Sequence, residues 1–205
     1  HGLTLQDSLL GRIAMLRLTS ELLDIYALML HEHPTQAIAL PALSPEERDY
    51  RQVFAREFYS LHHMLKSLDR HPDIASHEGN YPPWLSRFLF KPNISSNHQA
   101  EYFKKIELGY TQSPASFAQN HTSYQPVISK LYNPRNLIGD ILLRLTSDYG
   151  VYIGRLNDLE AKIALFNQLY VENIAPEALT NPYGVAYGYS RTITGICFDG
   201  PLEDQ

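Results

Sequence analysis

A chain of 205 residues is long enough to bury one substantial hydrophobic core, and nothing in its length demands a second lobe. Its formal charge of −5 argues against a nucleic-acid binder and against a polybasic membrane-surface module, because both need a basic face. The single cysteine, Cys197, excludes an internal disulfide and a multi-cysteine zinc site.

Residues 3–33 read as a helix with two apolar stripes. Leu9, Ile13, Leu16, Leu23 and Leu30 form one, and Leu18, Leu22, Ile25 and Met29 form the other, so the helix is expected to be gripped from two sides. Pro34 ends it. His31 and His33, two positions apart, diverge on a helix and suit its negative end better than a shared metal. A connector over 35–43 leads to Ser44-Pro45-Glu46-Glu47, which has an N-cap, a first-turn proline and early acids in helix-start order. The helix that follows is expected to run to about residue 68, burying Tyr50, Val53, Phe54, Phe58, Leu61, Met64, Leu65 and Leu68. Glu57 falls inside that face. A carboxylate desolvated there needs a partner, and Arg144 or Arg155 would supply the planar fork that suits it.

Residues 69–83 break helical periodicity and read as a loop rich in potential ligands. His71, Asp73 and His77 in it offer a possible metal set, although their spacing matches no specific zinc pattern. The segment 84–91 is short and apolar. Asn93 and Ser95 to Asn97 read as capping side chains ahead of a helix over 98–108, and 109–126 reads as a second long polar loop. Asn133-Pro134 closes the short segment 127–132, and a helix is expected over 135–145. Ser147 is placed to cap the last long helix, whose Tyr152, Leu156, Leu159, Ile163, Phe166 and Tyr170 share one face at alternating steps of four and three. After Asn181-Pro182-Tyr183-Gly184, a turn signal, 185–189 and 192–198 alternate like strands around a Ser190-Arg191 turn. The architecture this implies is mainly α: an irregular antiparallel helical bundle over 3–174 with long connecting loops, and a small C-terminal β-hairpin over 181–201, in a single domain 1–205.

The run 132–165, with Asn133-Pro134, Asp148-Tyr149, Tyr152-Ile153, Arg155 and Asp158-Leu159, resembles the closing region of uncharacterised proteobacterial proteins. In those, one N-terminal membrane helix precedes a helical extracytoplasmic domain. Asn181-Pro182-Tyr183-Gly184, Tyr187, Phe198 and Gly200-Pro201 are similar to the tail of that family, with Asn181 where an acid is more usual, and the segment 90–97 fits as well. The resemblance implies a periplasmic domain anchored to the inner membrane through a segment upstream of His1, and it implies no activity.

No G-x-S-x-G elbow, Walker loop or dinucleotide fingerprint is present, so no cofactor is expected. The leading expectation is a non-enzymatic envelope domain that binds a protein, peptide or glycan partner, with the many tyrosines as contact surface around the 69–83 and 109–126 loops. Glu57, Arg144, Asp148, Tyr149, Tyr152 and Arg155 are its candidate binding residues. The alternatives are a hydrolase using Glu57 as acid or base with His62 or His63, and a metal-binding protein using the 62–78 region.

Overall fold

The computed structural model describes residues 8–33, 36–71, 82–120, 133–144, 149–184, 188–192 and 195–201. It is mainly helical. Eight α-helices follow in chain order among the described residues: α1 (Leu9–Glu32), α2 (Pro45–Arg48), α3 (Arg51–Arg70), α4 (Pro83–Leu89), α5 (Pro92–Gly109), α6 (Pro114–Asn120), α7 (Leu137–Arg144) and α8 (Tyr149–Phe166). A π-helical turn, Asn167–Val171, extends α8. Beyond a short 3-10 turn at Pro176–Ala178, strands β1 (Tyr189–Thr192) and β2 (Gly195–Phe198) pair antiparallel. Ser190 and Arg191, expected as a turn, lie inside β1, opposite Cys197 and Ile196.

Helix α8 is the element around which the rest packs. It touches α1, α5 and α6, while α3 lies on α5 and α7 lies on α4 and α5. Leu156, Leu159, Ile163 and Phe166 of the periodic stripe are buried as its spacing requires, and so are Ile153, Ala161 and Leu165 on other faces. A helix enclosed this completely needs neighbours on several sides. The core has two parts. An aromatic part centres on Phe54, Phe103 and Tyr149, with Phe103 and Tyr149 ring centres 5.0 Å apart. An aliphatic part joins Leu23 and Leu30 of α1 to Leu159, Ile163 and Phe166.

The helix boundaries depart from the periodic reading where short polar side chains intervene. Ser44 and Glu47 form a reciprocal capping box at the start of α2, as their spacing requires. The helix nevertheless stops at Arg48, because Asp49 adopts an extended conformation and its carboxylate accepts the Arg51 backbone N–H at 3.0 Å. Asp49 thus starts α3 afresh instead of continuing α2. On α3, Val53, Phe54 and Leu65 are buried, Phe58 is half-buried, and Met64 points to solvent, contrary to its place in the periodic stripe.

Helix α5 begins at Pro92, six residues before the expected start at His98. Ser95 and Ser96, read as caps, face inward from its first turns, where Ser95 meets the Asn136 amide and Ser96 meets His62. The stretch 114–120, read as loop, is helix α6 and buries Phe117 and Ala118. Ser113-Pro114 carries the same start signal as Ser44-Pro45, with the Ser113 hydroxyl accepting the Ser116 N–H. Ser147 lies outside the described residues. The first turn of α8 is served from α5 instead, where the Tyr102 hydroxyl accepts the backbone N–H of Tyr149 at 2.9 Å and of Gly150 at 3.4 Å.

The expectation that α1 is held on two sides is corrected. Its stripe of Leu9, Leu23 and Leu30 packs into the core, while Leu18, Leu22, Ile25 and Met29 are exposed. Among the described tyrosines, Tyr50, Tyr102, Tyr110, Tyr149 and Tyr183 are buried in the core and Tyr59 is exposed, while Tyr81 and Tyr124 of the two long loops lie outside the described residues. Among the described residues no helix is long and apolar enough to cross a membrane.

Candidate binding groove

Helices α3 and α5 pack closely through Phe54, Phe58 and Phe103 but leave an open groove of about 370 Å³ above these rings. The small side chains Ala55 and Ala100 create the space, since each ends where a larger residue would fill the groove. Arg51, Lys104 and Glu107 stand on its rim, and Arg51 is held by Asp49 at 2.6 Å. Tyr110 closes one end. Its ring packs near Phe54, and its buried hydroxyl has no hydrogen-bond partner among the described residues. Burial and the nearby Glu107 carboxylate raise its pKa above the usual phenol value, so Tyr110 remains a protonated donor at neutral pH. The surface therefore offers an aromatic floor and a charged rim.

A second cleft, of about 430 Å³, lies between α1, α2 and α8. Leu16, Leu43 and Leu159 line it, with Arg12, Glu46 and Glu47 at its edge. Arg12 is already engaged there, over the Tyr50 ring and on the Asp49 carbonyl oxygen.

Glu57 is half-buried on α3, not enclosed among aromatics, and among the described residues it forms no ion pair. Its charge lies close enough to Tyr149 to add to the effect of burial, which together push that phenol to about 12. Tyr149 neighbours Tyr152, and the exposed Arg155 reaches over the Tyr152 ring at 5.9 Å. Four candidate residues thus share one neighbourhood, but Arg155 pairs with an aromatic face and not with the Glu57 carboxylate. The Arg144 side chain and Asp148 lie outside the described residues.

His62 is committed elsewhere. Its Nδ1 is 3.0 Å from Ser96 Oγ and its ring stacks on Phe58. His63 is exposed, and among the described residues no hydrogen bond joins Glu57 to either imidazole. His71 is exposed at the end of α3, whereas Asp73 and His77 lie outside the described residues. Among the described residues no three His, Cys, Asp or Glu side chains converge on a point.

The semi-buried ion pair anticipated for Glu57 belongs to Arg48 and Glu160. Arg48 also donates to the carbonyl oxygens of Tyr110 and Gln112, which ties α2, the end of α5 and α8 together. Its desolvation lowers the guanidinium pKa. Nothing in the sequence separates Arg48 from other surface arginines, because its burial depends on the break at Asp49.

Two further polar junctions were also hidden. Fully buried Asn136 accepts the Lys91 N–H at 2.7 Å and donates to Ser95 Oγ at 3.0 Å and to Asp140 at 3.3 Å. Gly139 is required beside it, since a Cβ there would collide with Ser95 Oγ and the Asn136 amide. On α8, the Tyr183 hydroxyl donates to the Asp158 carboxylate in a short hydrogen bond. The Asn181 side chain accepts the Tyr183 N–H and donates to the Gly188 and Asp199 carbonyl oxygens, holding the Asn-Pro-Tyr-Gly turn together.

Comparison with family models, curated proteins and solved structures finds no match to this chain.

Proposed function

We propose that this chain is a non-enzymatic helical domain of a bacterial envelope protein that binds a peptide segment of a partner in the α3/α5 groove. The reading includes an irregular antiparallel bundle with a C-terminal hairpin, placed in the periplasm and anchored to the inner membrane. The observation that carries the binding role is the groove itself: an apolar floor of Phe54, Phe58 and Phe103 that ends at Tyr110. A large apolar side chain on the ligand fills the floor, and an acidic neighbour suits Lys104 on the rim.

The resemblance noted above supports the envelope setting. Residues of its separate segments, Lys91 and Ser95 of one and Asn136 of the other, meet at one junction.

Display selection of random peptides on the immobilised chain tests the role. Enriched sequences should share an aromatic or branched aliphatic anchor, and capture should be lost when Ala100→Trp fills the groove. Failure to enrich any motif, or capture that Ala100→Trp leaves unchanged, would contradict the proposal.

A further inference from the structure

Helix α1 carries apolar surface on two opposite faces, and among the described residues only one of them is covered. The uncovered face consists of Met15, Leu18, Leu22, Ile25 and Met29, which are between 45% and 58% exposed. Their spacing of three, four, three and four is that of a coiled-coil seam, the arrangement that presents knobs to a second helix. Leu28, on the flank of the seam, is also exposed. Scattered single leucines on a surface need no explanation, but a continuous seam of this size does.

We infer that this face joins two copies of the chain through an antiparallel α1–α1′ contact. A seam of this kind is self-complementary under a two-fold axis, so one surface serves both partners. With the axis near the middle of the helix, Leu18 of one copy lies opposite Leu22 of the other, and Met15 lies opposite Ile25. Charge selects the direction. Arg17 and Glu21 lie on the same flank of the seam and pair with each other at 2.9 Å within one chain. In the antiparallel arrangement this flank meets its own copy, so Arg17 of each protomer comes beside Glu21 of the other. In a parallel arrangement it would meet the opposite flank, where Thr19 and Tyr26 carry no charge at neutral pH. The six apolar side chains expose on the order of 500 Å² per copy, and the charged flank brings the contact to the roughly 600–800 Å² per partner of a specific interface. The occupant is a second copy and not a lipid surface, because the flanks lack the basic enrichment of a membrane-surface helix.

Sedimentation equilibrium over a range of concentrations tests the inference. The unmodified chain should associate to a dimer. Leu22→Glu should remain monomeric with an unchanged helical circular dichroism spectrum, since Leu22 takes no part in the core. Arg17→Glu should weaken association about tenfold, and Arg17→Glu with Glu21→Arg should restore it. A chain that stays monomeric throughout overturns the inference. So does association that Leu22→Glu leaves intact, or a monomer that binds neutral lipid vesicles through Leu22. None of these outcomes depends on a peptide occupying the α3/α5 groove.

Discussion

The hydroxyl of Tyr102 accepts the backbone N–H of Tyr149 at 2.9 Å, so a side chain on α5 caps the first turn of α8. The first N–H groups of a helix have no partner inside it, and here they begin in a buried setting where water cannot serve them. One phenol therefore fixes where the central helix starts relative to the groove-forming helix. Tyr102→Phe keeps the ring and removes the acceptor. It should lower unfolding free energy by about 1–2 kcal/mol, read from urea denaturation.

The junction of Asn136 and Gly139 with Ser95 sets the approach of α7 to α5. Gly139→Ala should destabilise by about 1–3 kcal/mol, because the added methyl meets Ser95 Oγ and the Asn136 amide. Removing the Ser95 hydroxyl relieves part of that collision. The Gly139→Ala, Ser95→Ala double variant should therefore lose less than the sum of its singles in a denaturation cycle.

Asp158 links pH to the attachment of the C-terminal turn. Burial raises its pKa above the usual 3.8, and the Tyr183 hydrogen bond offsets part of that rise. The folded state then holds a proton that the unfolded state releases, so this group's contribution favours folding below 3.8 and declines as pH rises through the raised value. Asp49 acts in the opposite sense at lower pH. Its hydrogen bonds with Arg51 depress its pKa to about 2, so its contribution is present above 3.8 and is lost as pH falls toward 2. Asp158→Asn should abolish only the upper component of the pH–stability curve. Tyr183→Phe should raise the Asp158 pKa further, as followed by its carboxyl carbon shift.

Arg48 joins three elements through Glu160 and the carbonyl oxygens of Tyr110 and Gln112. Arg48→Met leaves a half-buried carboxylate without its cation, with an expected loss of about 2–3 kcal/mol. Adding Glu160→Met should recover part of it in the same denaturation assay.

Periodicity exposed the long apolar stripes because burial repeats every turn, and Ser44-Pro45 exposed a helix start because capping is local. The same reasoning failed at Asp49, where one carboxylate ends a helix whose stripe continues, and at Ser95 and Ser96, whose cap-like chemistry serves tertiary contacts. Leu18, Leu22, Ile25 and Met29 followed a core-like pattern without entering the core, since periodicity reports an apolar face and not what covers it. The groove itself was illegible. It arises from Ala55 and Ala100 facing each other across two helices, and pairing between distant small residues leaves no mark in either segment.

The most direct test of the binding role is to map amide and methyl shift changes on the labelled chain as a selected peptide is added. Perturbations should centre on Ala55, Phe58, Ala100, Lys104 and Tyr110, which line the groove. Perturbations confined to other surfaces, with the α3/α5 groove silent, would contradict it.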